Sequence, residues 1–223
     1  MSKNVFITAT GTDIGKTYVS ALIVKKMREA KFNCGYYKPV LSGVTEKDGK
    51  LTESDCNYVI NTAKIPADAN NCVTYWWKEA VSPHLAAERA GVTIDIGKIK
   101  EAFFQKQKEY EYLLIEGAGG ITCPLRLKNG EKYLLKDLIK DLDVNIIIVA
   151  DGGLGTINST LLTVEYARQN NINIEGIILN NYNPDNFMHQ DNLKQVEYLT
   201  GVKVISTVQK NQTDIDLLKE YFI

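Results

Sequence analysis

The sequence predicts an α/β fold with a mainly parallel central sheet and helices on both faces. Short apolar runs alternate with helical patterns along the 223 residues, which implies right-handed crossovers between parallel strands. Ile146-Ile147-Ile148-Val149 and Ile177-Ile178-Leu179 are continuous rather than alternating apolar runs, as in central strands covered on both faces. A glycine-bearing loop joins the first apolar run to the first helical pattern. No Pro/Gly/Ser-rich linker, charge block or internal repeat divides the chain, so a single domain over 1–223 is expected.

Val5-Phe6-Ile7 marks the first strand, over 4–9, and Thr10-Gly11-Thr12-Asp13-Ile14-Gly15-Lys16-Thr17 leads from it into a helix over 16–30. A strand, a glycine loop and Gly-Lys-Thr opening a helix form a P-loop-type arrangement, which binds a nucleoside triphosphate. Backbone N–H groups from Asp13, Ile14 and Gly15 to Tyr18 face the phosphates, Lys16 neutralises β/γ charge, and the Thr17 hydroxyl ligates Mg²⁺. Thr10 stands where the usual pattern has glycine, and the extra glycine is Gly11. A second strand over 34–38 ends at Lys38, whose position before a Pro39-fixed turn keeps it near whatever the loop binds. The stretch 44–95 is less regular, with helices over 55–62 and 83–90. Beyond it come a helix over 96–110 and a strand over 112–116. Strands over 145–150, 174–180 and 203–208 then alternate with helices over 156–170, 187–200 and 214–222.

Ligands of such sheets gather at the carboxyl ends of the strands, and the unusual residues of this chain fall there. Glu116 leaves a buried strand directly into Gly117-Ala118-Gly119-Gly120, where backbone can approach a ligand closely. With Asp55 and Thr17 it could form one hard-cation site, although Ser54-Asp55 also reads as a helix cap. Gly152-Gly153-Leu154-Gly155-Thr156 offers a second helix start able to receive an anion, or simply a tight turn. Asn180-Asn181 after the next strand could read an adenine edge or turn the chain. Trp76-Trp77 and the tyrosines read as packing or interface material.

Composition narrows the function further. A formal net charge of −1 argues against nucleic acid or an anionic membrane as partner. No apolar run approaches the ~18 residues that span a bilayer, so a cytoplasmic protein is expected. Cys34, Cys56, Cys72 and Cys123 are widely spaced and read as reduced packing residues.

Taken in order, Gly11-Thr12-Asp13-Ile14-Gly15-Lys16-Thr17, Tyr37-Lys38-Pro39-Val40-Leu41-Ser42-Gly43, Ser54-Asp55, Ser82-Pro83-His84, Glu116-Gly117-Ala118-Gly119-Gly120, Leu154-Gly155-Thr156-Ile157-Asn158 and Asn180 closely resemble the dethiobiotin synthetase family. Each block is weak alone, and their order and spacing make the combination specific. The resemblance implies ATP-dependent joining of CO₂ to 7,8-diaminopelargonic acid to close the ureido ring of dethiobiotin. It also implies that Lys16 and Lys38 face the reacting carbamate and γ-phosphate, Thr12 and Ser42 contact substrate, and Thr17, Asp55 and Glu116 hold Mg²⁺. Asn180 would read the adenine. Family members are homodimers, so the Gly155 to Asn158 helix start would reach the substrate carboxylate in the other subunit. Two departures stand out: Ala9 where many members have glycine, and Ser206-Thr207-Val208-Gln209 without the Ile-Pro pair beside the adenine.

Two rival readings fit less well. Partition and cell-division ATPases carry a lysine near the position of Gly11 and an aspartate-proline element where this chain has Glu116-Gly117. Cobalamin-type amidoligases add a glutaminase domain for which 223 residues leave no room.

Overall fold

The computed structural model describes residues 3–128 and 130–217. The first strand, β1 (Lys3–Ala9), leads through the glycine loop into α1 (Lys16–Glu29), and β2 (Cys34–Ser42) follows. A hairpin of β3 (Thr45–Lys47) and β4 (Lys50–Glu53) precedes α2 (Asp55–Ala63), a short 3₁₀ turn and β5 (Val73–Trp77). Next come α3 (Pro83–Arg89), α4 (Ile96–Glu109) and β6 (Tyr112–Glu116). A second hairpin, β7 (Pro124–Lys128) and β8 (Glu131–Leu134), runs into α5 (Leu135–Leu142). The chain then alternates through β9 (Asn145–Asp151), α6 (Thr156–Gln169), β10 (Ile174–Asn180), α7 (Phe187–Thr200) and β11 (Val204–Thr207).

Seven strands form one sheet in the order β11-β10-β9-β1-β6-β2-β5, with every neighbouring pair parallel. The alternation of side chains builds two cores. Val5, Ile7, Tyr36 and Leu114 pack with Val19, Ile23 and Val59 of α1 and α2 on one face. Phe6, Tyr37, Leu113 and Ile115 pack with Phe103, Leu138, Val164 and Val196 of α4 to α7 on the other. Ile146 to Val149 and Ile177 to Leu179 are completely buried, as their unbroken apolar runs require.

The structure departs from the expected elements in three places. First, β2 continues past Lys38 to Ser42, so Lys38 lies within a strand instead of at its end. Pairing with β6 stops at Tyr37, while pairing with β5 continues over Lys38, Val40, Leu41 and Ser42. Pro39, which has no N–H to give, falls beyond the β6 ladder and outside the β5 pairs. Second, the 44–95 region and the stretch before β9 hold β3, β4, β5, β7, β8 and α5. Of these, α5 is written in the sequence, because Leu135, Leu138, Ile139 and Leu142 repeat at helix spacing and are all buried. Third, the expected helix over 214–222 is absent at 214–217, and its remainder lies outside the described residues. Residues 208–215 instead strap across α1, with Tyr18 donating to Gln212 O, Lys25 donating to Thr213 O, and Lys26 pairing with Asp214.

Candidate functional site

The carboxyl ends of β1, β6 and β2 meet beneath the helix α1 start, and a cleft of about 650 Å³ opens over them. Its walls include Thr12, Asp13, Gly15, Lys16, Thr17, Tyr18, Lys38, Ser42, Asp55, Ala118 and Gly119, together with Leu41 and Tyr58. Residues separated by a hundred positions are brought together because parallel strands all present the same end to one edge of the sheet.

The loop after β1 is built for an anion. Asp13 and Gly15 both take left-handed conformations, with φ of 59° and 96°, and successive backbone N–H groups in such a turn form a concave cradle. Gly15 is tightly covered: a Cβ there would come within 2.1 Å of Asn180 Nδ2, which donates to Ile14 O at 2.8 Å. Asn180 Oδ1 is buried without a partner. Lys16 bends back to donate to Gly11 O at 3.2 Å. Burial, followed by repulsion from Lys38, lowers its pKa, against the opposing pull of Glu116 and Asp55.

The charges around Lys38 form a compact network. Glu116 is fully buried at the end of β6, and Lys38 Nζ donates to its Oε1 at 2.5 Å and to Asp55 Oδ2 at 2.5 Å. Thr17 Oγ1 donates to the same Glu116 Oε1 at 2.8 Å, and Tyr36 Oη donates to Oε2 at 2.9 Å. Burial alone would lower the Lys38 pKa, but the Glu116 and Asp55 charges and hydrogen bonds outweigh it and the net direction is up. Asp55 is available for this pair because Ser54, not Asp55, caps α2, its hydroxyl accepting from Asn57 N at 3.2 Å.

Several expected residues stand outside the cleft. Asn181 is exposed and donates to Asp151 Oδ2 at 2.7 Å, tying the ends of β9 and β10 together. Gly117 lies behind the cleft, where a Cβ would meet Leu135 at 2.7 Å and Phe6 at 2.9 Å. Gly155 and Asn158 sit at the exposed start of α6. Conversely, Tyr58, which lines the cleft, and Tyr36, buried beneath it, carry no sequence signal, since each reads as an ordinary apolar position of a helix or strand. Among the described residues no three His, Cys, Asp or Glu side chains cluster as a metal site, and the four cysteines are free thiols.

A parallel sheet with this loop at its first crossover and charged groups at the ends of the adjacent strands defines a P-loop nucleotide-binding protein. The AAA domain family matches residues 3–214. The same fold occurs in the MinD cell division protein of Aquifex aeolicus, with TM-score 0.54 and 12% identity, covering 94% of this chain and 83% of that one. A ParA family ATPase from Chlorobium tepidum TLS superposes with TM-score 0.53 at 10% identity, covering 94% and 85%. Sequence is more specific. The ATP-dependent dethiobiotin synthetase BioD of Clostridium botulinum (strain Langeland / NCTC 10281 / Type F) is 47% identical over 225 residues, covering 100% of this chain and 97% of that protein. That of Brachyspira hyodysenteriae (strain ATCC 49526 / WA1) is 49% identical over 208 residues, covering 93% and 92%. The chain belongs to the ATP-dependent dethiobiotin synthetase family.

Proposed function

We propose that this protein closes the ureido ring of dethiobiotin by ATP-dependent carboxylation of 7,8-diaminopelargonic acid with CO₂, releasing ADP and phosphate. The convergence of Lys16, Thr17, Lys38 and Asp55 in one cleft, with the buried Glu116 bonded to Thr17 and Lys38 beneath it, carries the reading. One substrate amine takes up CO₂ as a carbamate, and a carbamate oxygen attacks the γ-phosphorus as ADP leaves. The second amine then adds to the carbonyl carbon of the mixed anhydride and expels phosphate. No step needs a covalent enzyme nucleophile, so the work of the protein is positioning and charge neutralisation.

In this reading Lys16 and Lys38 meet the carbamate and γ-phosphate, and Thr12 and Ser42 orient the diamine. The loop from Asp13 to Tyr18, with Ala118 and Gly119 opposite, wraps the nucleotide. Asn180 reads the adenine, supported by its unpartnered buried carboxamide oxygen. Thr17, Asp55 and Glu116 are the residues that would hold Mg²⁺. Their donors are all oxygen, and the two carboxylates already converge on one cation, the Lys38 ammonium. The metal would supply neutralisation of charge across the β- and γ-phosphates.

The active form in this reading is a homodimer in the cytoplasm. Leu154 is 92% exposed, Leu162 62%, Phe187 84% and Tyr198 83%, all on the α6–α7 side. Apolar exposure on this scale suits contact with a second copy. The start of α6 from Gly155 to Asn158 would then receive the carboxylate tail of the substrate bound to the partner. No helix among the described residues is long and apolar enough to cross a membrane.

With Mg²⁺ and ATP, ADP release by the purified protein should be slow until diaminopelargonate and bicarbonate are both present. Rapid turnover without them would sink the ligase reading.

A further inference from the structure

Tyr36 looks like an ordinary core aromatic, 1% exposed on β2. Its register says otherwise. Tyr36 lies opposite Leu114 and Tyr37 opposite Ile115, so the two-residue period puts Tyr36, Lys38 and Glu116 on one face of the sheet. The Tyr36 hydroxyl donates to Glu116 Oε2 at 2.9 Å, while Oε1 of the same carboxylate accepts from Lys38 and Thr17. The two oxygens therefore have separate partners. A phenylalanine would fill the same space without burying a hydroxyl, which is costly unless it is bonded.

We infer that Tyr36 is a positioning residue that pins Glu116 Oε2 and thereby presents Oε1 as a single-oxygen ligand to the divalent cation of the nucleotide complex. This rests on reading Glu116 as a metal-binding carboxylate. A carboxylate turns easily about its terminal torsion, which is broad and two-fold. Freed from Tyr36, Glu116 can rotate both oxygens toward Lys38 and compete poorly for the metal. Loss of such an outer partner typically weakens metal binding on the order of 10-fold to 100-fold.

The test uses Mn²⁺ as probe, its binding followed by the loss of the free-ion electron paramagnetic resonance signal in the presence of a non-hydrolysable ATP analogue. Tyr36→Phe should weaken Mn²⁺ about tenfold. It should also raise the Mg²⁺ needed for half-maximal ring closure by a similar factor, leaving the KM for diaminopelargonate unchanged. Glu116→Ala, measured alongside, reports on the underlying reading. Parent-like Mn²⁺ binding by Tyr36→Phe, with weakening by Glu116→Ala, overturns the role of Tyr36 and spares the metal site. Parent-like binding by both overturns both. Should Tyr36→Phe not fold, infrared difference spectra of the parent against Glu116→Gln decide the matter. A wide separation of the Glu116 carboxylate stretches on Mn²⁺–nucleotide binding is expected for one-oxygen ligation, and a narrow one contradicts the inference.

Discussion

Gly15 before α1 and Gly155 before α6 have nearly the same backbone, with φ of 96° and 89°, no side-chain cap, and a helix of 14 residues behind each. Both helix starts can offer N–H groups to an anion, although at α6 the first of them, Thr156 N, already donates to Gly153 O at 3.3 Å. Their surroundings differ. Gly15 is roofed by Asn180 and flanked by Lys16, which is 7% exposed, whereas a Cβ on Gly155 would meet nothing within 4 Å and Leu154 beside it stands 92% exposed. Shared backbone geometry therefore does not make two equivalent sites. Cations, carboxylates and cover distinguish the triphosphate loop, and an open apolar margin distinguishes the loop suited to meeting a second chain.

Charge deletion should separate the two loops most strongly. Lys38→Ala should lower kcat by on the order of 10²-fold or more while ATP affinity changes little, because its charge serves the transition state most. Asn158→Ala at the other loop should act mainly on the KM for diaminopelargonate, by less than about tenfold, as for one lost neutral contact. Steady-state kinetics of the pair check this, and equal loss of kcat in both would erase the distinction.

A smaller effect is expected at the carboxylates. Glu116→Ala and Asp55→Ala should each raise the half-saturating Mg²⁺ concentration, Glu116 by more than the about tenfold expected on losing its Tyr36 partner and Asp55 by less. The order follows from burial, since the Asp55 side chain is 38% exposed and Glu116 is fully enclosed. Titrations that overlay the parent would remove both from the metal site.

The smallest effects concern stability. Gly155→Ala should cost about 1 kcal/mol for a left-handed alanine and lower Tm by roughly 2–4 °C. Gly15→Ala should cost more, because Asn180 must also move and lose its bond to Ile14 O. Equal Tm shifts would show that cover by Asn180 does not matter.

Much of the site was legible because its chemistry sits where a parallel sheet must put it. Lys16, Thr17 and Glu116 follow or end apolar runs, and the order of those runs is enough to bring them together, whereas Lys38 joins them from within β2. Asp55 was harder, since a carboxylate after serine reads equally as a cap, and only packing of α2 against β2 brings it to Lys38. Tyr36 was not legible at all: a tyrosine in a buried strand looks the same whether or not its hydroxyl finds a partner. The core helix α5 was missed although its buried leucines repeat at helix spacing, and the strands missed lie at margins. Val73 to Trp76 of β5 are only partly buried at the sheet edge, and the β3–β4 and β7–β8 hairpins lie outside the main sheet. Edge and surface strands lack the continuous apolar run that marks a central one.

In the proposed homodimer the two loops would complete one site from different subunits, and mixed dimers test this directly. Lys38→Ala disables the phosphoryl end and Asn158→Glu repels the carboxylate tail, so each variant alone should be nearly inactive at limiting substrate. Co-refolding equal amounts gives about half mixed dimers, each with both lesions in one site and a second site intact. Activity should then recover to roughly a quarter of the parent under random pairing. Activity that stays at the level of the separate variants, with mixed dimers confirmed by native mass spectrometry, would contradict the shared site.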